Sequence, residues 1–84
     1  MSSQNPMPDV QLDLRGTPCP INFVRTKLRL EQLTPGQLLE VWLDGGEPIE
    51  QVPESLAVAG YPVEKIEDRS DFFVLQVRRP LPLA

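Results

Sequence analysis

The sequence predicts an α+β fold, an α/β two-layer sandwich of order β-α-β-α-β-β in which a mixed four-stranded sheet carries two helices on one face. Three observations lead there. Val10, Leu12 and Leu14 alternate with polar residues and give way, after Gly16, to an amphipathic stretch that ends at Thr34-Pro35-Gly36. A second alternating run and a second helical spacing follow, and a β-α-β crossover of right-handed sense makes the first two strands parallel. The remaining residues alternate twice around the polar turn Asp68 to Asp71, the pattern of a terminal hairpin, which sets one strand antiparallel to the rest.

The elements follow in order. Val10 to Leu14 is a strand with one buried face, and Arg15-Gly16-Thr17-Pro18 turns the chain, Gly16 tolerating positive φ and Pro18 pushing Thr17 toward extended geometry. Pro20 suits the first helical position, where its missing N–H costs nothing, so Cys19 is the N-cap or its immediate neighbour. The helix runs to about Leu33. It has two apolar faces: Phe23, Thr26, Leu30 and Leu33 are assigned to the core, which leaves Ile21, Val24 and Leu28 as a second stripe.

Gln37 to Leu43 is the second strand, with Leu39, Val41 and Leu43 on one side and Trp42 on the less covered side. After Asp44-Gly45-Gly46 the spacing Ile49, Val52, Leu56, Ala59 is helical, but Pro53 interrupts it, and an interior proline costs about 3 kcal/mol. The expectation is a short turn over 48–51 and a regular helix over 53–59, ended by Gly60. Tyr61 to Glu67 and Phe72 to Arg78 are the third and fourth strands, the latter with Phe73, Leu75 and Val77 inward. One domain over residues 9–79 is expected, between a disordered leader, 1–8, and a frayed tail, 80–84.

Composition narrows the chemistry. A chain of 84 residues buries roughly 60 to 65% of its unfolded surface, so a large internal ligand cavity is not expected. The net charge of −4 argues against nucleic-acid binding, which is built from Lys and Arg. A single cysteine precludes an intramolecular disulfide, and the absence of histidine removes Cys-His nucleophile pairs and imidazole zinc sites. With no membrane-length apolar run, these features fit a reducing, soluble compartment with no membrane partner. No metal-ligand cluster is present in the sequence, and no cofactor is expected.

Cys19 is the candidate for chemistry. A thiol at a helix N-terminus sees unpaired N–H groups and the positive end of the helix dipole, which favour thiolate. A buried, inert cysteine is an equally good reading of the local sequence. Arg25, Lys27 and Arg29, together with Arg15, are half of the basic residues, and no acid lies between Asp13 and Glu31. They form either a docking surface or a solvated helix face. The Ile21, Val24, Leu28 stripe serves partner binding or self-association, or packs laterally on the second helix.

Asp13-Leu-Arg-Gly-Thr-Pro-Cys-Pro20 resembles the Asp-x-Arg-Gly-x-x-Cys-Pro opening of the TusA/SirA-like sulfur-carrier family. The similarity continues through Phe23 to Lys27, Pro35-Gly36, the acidic turn near Asp44 and Val52-Pro53, covering residues 10–79. The resemblance implies the same two-layer fold and a cytoplasmic sulfur carrier that takes persulfide sulfur on Cys19 as a transient group. Its donor would be a cysteine desulfurase or rhodanese type protein, and its acceptor a further sulfur-relay protein. Asp13, Arg15, Gly16, Pro20 and Asn22 are then expected to support the turn, and main-chain N–H groups around Ile21 and Asn22 to stabilise the charged sulfur. Ile21, Val24, Arg25, Lys27, Leu28 and Arg29 would dock partners, with the chain a monomer or weak dimer. The family's Cys-Pro-x-Pro box reads Cys19-Pro-Ile-Asn22 here, a hydrogen-bonding side chain replacing a rigid ring. The alternative is a non-catalytic interaction or regulatory module using the first-helix surface, with Cys19 structural or redox-sensing.

Overall fold

Alternating apolar strands and two amphipathic helices bury one another in two layers. The computed structural model describes residues 8–81. Its elements are β1 (Val10–Asp13), α1 (Ile21–Gln32), β2 (Leu38–Leu43), α2 (Glu47–Val58), β3 (Val63–Asp68) and β4 (Phe73–Arg78). The expectations for residues 1–7 of the leader and 82–84 of the tail lie outside the described residues.

The sheet order is β1-β2-β4-β3. β1 runs parallel to β2, and β4 is antiparallel to both β2 and β3. The hairpin therefore folds β4 into the sheet and leaves β3 at its edge. Leu39, Val41 and Leu43 of β2 and Leu75 and Val77 of β4 share one buried face, against Leu30 and Leu33 from the α1 end and Val52 and Leu56 of α2. Burying each such side chain contributes about 1.5–3 kcal/mol. Phe73 is half-buried over the β2–α2 turn, its ring edge 3.3 Å from where a side chain on Gly45 would begin.

Among the described residues, the opposite face carries no helix. There Trp42 is half-buried, and its indole N–H donates to Glu40 Oε2 at 2.7 Å, which also accepts from Gln11 Nε2 at 3.0 Å. Those bonds explain how a carboxylate only 8% exposed is tolerated.

Three expectations are corrected. α2 is continuous from Glu47 to Val58 with Pro53 inside it, not a turn followed by a shorter helix. Val52 and Leu56, on either side of Pro53, are fully buried in the core, and that packing offsets the lost hydrogen bond. β3 begins at Val63 rather than Tyr61, because Tyr61 N–H still donates to Leu56 O at 2.8 Å to close α2. That closure uses Gly60 at φ +98°, a left-handed position suited to glycine. Pro20 precedes α1 rather than opening it: it is the N-cap, and its carbonyl accepts the Val24 N–H at 3.0 Å.

At its other end α1 is held from a distance. Arg79 Nη1 donates to the carbonyls of Leu30, Glu31 and Leu33 at 3.0, 2.8 and 3.1 Å. Leu30 O also takes the Leu33 N–H at 3.1 Å, whereas Glu31 O and Leu33 O are of the kind that a helix end leaves without internal partners, and a cation there complements the helix dipole.

Candidate functional site around Cys19

The parallel register of β1 and β2 sets Asp13 beside Trp42 and so brings the exits of the two strands together. The β1–α1 loop and the β2–α2 turn meet there. Asp44 Oδ2, from the β2 side, accepts the Gly16 N–H at 2.6 Å, and Gly16 itself has φ +81°. A side chain at Gly16 would be strained by that backbone despite the open space around it. The Asp13 carboxylate binds Arg15 through Nε at 2.9 Å and Nη2 at 2.8 Å, and also accepts the Arg15 N–H at 3.1 Å. The side-chain bond to Arg15 holds the Asp13 carboxyl down to about 2. The Arg15 guanidinium lies 4.8 Å from the ring centroids of both Trp42 and Phe72, so the loop is tied to the helix-free face of the sheet.

Cys19 is a free, half-exposed thiol that immediately precedes the N-cap of α1. The Cys19-Pro20 peptide is cis. Of the expected main-chain donors, Asn22 N–H is engaged by Pro18 O at 3.1 Å, so it does not serve the sulfur. The donor is instead a side chain. Asn22 Nδ2 lies 3.2 Å from Cys19 Sγ, while Asn22 Oδ1 accepts the Phe23 N–H at 2.6 Å. The second bond identifies which end of the amide faces the sulfur, because only the oxygen can accept from Phe23. Asn22 is fully buried, its main-chain carbonyl also taking the Thr26 hydroxyl at 2.8 Å.

The sulfur borders two hollows. One is an open cleft of about 400 Å³ whose walls include Asp44 and Glu47. The other is a slot of about 50 Å³ between α1 and α2, lined by Asn22, Phe23, Gln51, Val52 and Ser55.

α2 meets α1 along the Phe23 flank, which leaves Ile21, Val24 and Leu28 48%, 45% and 52% exposed. Lateral packing therefore does not explain that stripe. Arg25 is exposed beside it, Lys27 pairs with Glu31 at 3.4 Å, and Arg29 donates to Gln32 Oε1 at 2.9 Å. Such exposed pairs stabilise little.

Asp44, Gln51 and Ser55 were not among the site residues expected from sequence. Asp44 carries a weak signal, an acid at the exit of a strand parallel to β1. Gln51 and Ser55 carry none, since they reach the site only through helix packing.

The family model described as Sulfurtransferase TusA matches residues 10–79. The chain belongs to the TusA/SirA-like family. A Thermotoga maritima protein named as a candidate sulfur carrier protein is 42% identical over 57 residues, covering 68% of this chain and 72% of its own length. YedF of Escherichia coli K12, named in the same way, is 38% identical over 64 residues, covering 76% and 83%. The crystal structure of a SirA-like protein from Desulfitobacterium hafniense has a TM-score of 0.70 over 86% of this chain and 99% of its own, at 22% identity. That likeness is one of fold. Among the described residues of this family member, no helix is long and apolar enough to cross a membrane.

Proposed function

We propose that this TusA/SirA-like protein is a sulfur carrier that receives persulfide sulfur on Cys19 and relays it to an acceptor protein. The observation that carries the reading is the half-exposed Cys19 thiol at the head of α1, with a buried amide donor 3.2 Å from its sulfur, in a chain matching the sulfurtransferase family. In the first step Cys19 thiolate attacks the outer sulfur of a donor persulfide, R–S–SH. The new bond joins Sγ to that sulfur, the donor S–S bond breaks, and R–S⁻ leaves, so the product is Cys19–S–SH with no net oxidation. An acceptor thiolate repeats the exchange and regenerates Cys19 thiolate. The reaction requires a nucleophile and a thiolate leaving group, which is why a chain without histidine can perform it.

The donor is of cysteine desulfurase or rhodanese type, and the setting is the reducing cytoplasm, where a lone thiol persists. The exposed Ile21, Val24, Leu28 stripe with Arg25 beside it supports docking of both partners next to the thiol. Incubation with a cysteine desulfurase and cysteine, followed by intact mass measurement, should give a reducible gain of one sulfur on the wild type and none on Cys19→Ala. No gain from either donor type would overturn the reading and leave a non-catalytic interaction module.

A further inference from the structure

We propose that the slot between α1 and α2 is a seat for the outer sulfur of the Cys19 persulfide, with Asn22 as the positioning residue that holds both sulfurs. The inference rests on the carrier reading and names a subsite within it. Size comes first. At about 50 Å³ the slot admits a sulfur-sized group and is far below the about 300–1,000 Å³ of a small-molecule pocket. An S–S bond is about 2.0 Å long, and Cys19 borders both this slot and the open cleft, so an atom attached to Sγ has a hollow within reach on either side.

Charge separates the two positions. A persulfide is a stronger acid than its parent thiol and carries its charge on the outer sulfur. The open cleft presents the carboxylates of Asp44 and Glu47, which repel such an anion. The slot is lined by the neutral polar groups of Asn22, Gln51 and Ser55 and by apolar Phe23 and Val52. Asn22 Nδ2 has two hydrogens, and one suffices for Sγ, which leaves the other for the sulfur beyond it. The proline that stands at this position in the Cys-Pro-x-Pro box has no side-chain donor. A sulfur seated between the helices is shielded from small nucleophiles until a partner draws it out.

The test loads the sulfur chemically. Cys19 thiolate attacks inorganic polysulfide, Cys19–S⁻ + HS–S⁻ giving Cys19–S–S⁻ + HS⁻, and cyanide then removes the outer sulfur as thiocyanate, leaving the thiolate. Ser55→Leu fills the slot, and Asn22→Asp keeps the acceptor for Phe23 while replacing the donor with a like charge. Both variants should lose sulfur to cyanide about fivefold faster than the wild type, the size of one hydrogen bond. Iodoacetamide should alkylate the unloaded thiol of Ser55→Leu at the wild-type rate, which a general opening of the loop would not allow. Gln51→Leu repeats the test from another wall if Ser55→Leu fails to fold. Equal cyanolysis rates in wild type and a folded slot-filling variant overturn the proposal, as does failure of the wild type to load. Because polysulfide bypasses the donor protein, a protected sulfur in a chain that no desulfurase or rhodanese loads would retain the slot and reject the carrier.

Discussion

The two ends of α1 are built on opposite plans. At its C-terminus the helix is held by a residue from the far end of the chain: the Arg79 guanidinium gathers three carbonyls, and Arg79 main-chain groups pair with Gln37 O at 2.9 Å and Gly36 N at 2.8 Å. Arg78 adds a bond to Gly36 O at 2.7 Å. At its N-terminus the N-cap residue Pro20 supplies no side-chain bond: the Asn22 and Val24 N–H groups use the carbonyls of Pro18 and Pro20, and the Phe23 N–H uses Asn22 Oδ1. The loop ahead of the helix is tied at long range by the Asp44 bond to the Gly16 N–H and by the Arg15 guanidinium on the Trp42 and Phe72 rings. Side-chain bonds from a distant residue to the helix's own carbonyls are made at the end remote from the sulfur. The end bearing Cys19 meets its backbone needs locally, which leaves the Asn22 amide nitrogen for the sulfur and the thiol partly open to solvent.

Substitutions can break that division of labour. Cys19→Ala has the largest effect on chemistry, abolishing sulfur gain in the mass assay, while urea unfolding shifts little because the side chain is small and half-exposed. Arg79→Ala should lower unfolding free energy by about 2 kcal/mol, read by urea denaturation, since it takes a charged donor from the Glu31 and Leu33 carbonyls. Sulfur loading of its folded fraction should stay within about twofold of wild type, because one lost contact at a remote site rarely couples over a whole helix. A large loading defect there would show that the two ends are not separate. Ile21→Asp, in the exposed apolar stripe, should slow desulfurase-dependent loading about tenfold while polysulfide loading is unchanged, if partners dock there as proposed.

The smallest effect concerns pH. Arg15 holds Asp13 at about 2 in the folded chain, against an ordinary value of 3.8. A carboxyl depressed by folding stabilises above its unfolded value, and that contribution disappears as pH falls through the folded one. Asp13→Asn should therefore weaken the protein slightly at neutral pH and flatten the acid limb of its stability curve between pH 3.8 and about 2, followed by circular dichroism.

Much of the site's backbone was readable from local patterns. The alternation ending at Leu14, the Gly16 turn, the Cys19-Pro20 entry and the Phe23 and Ile21 faces of α1 are all set by neighbours a few residues apart. What went astray was likewise local in form but decided at long range. Pro53 signals a broken helix, yet Val52 and Leu56 anchor α2 on both sides of it. Main-chain N–H groups looked like the donors for the sulfur, but the Pro18 carbonyl claims the Asn22 N–H and the side-chain amide takes its place.

By itself the sequence determined the two-layer β-α-β-α-β-β fold, the position of the thiol ahead of a helix, and the family, because periodicity, turn residues and a short motif are written in contiguous residues. Only the tertiary structure decided that β4 lies inside the sheet, that Arg79 secures the far end of α1, and that Gln51 and Ser55 of α2 face Asn22 across a slot large enough for one sulfur. Those features join residues about 30 or more positions apart, and which of them meet is settled by how the apolar faces pack.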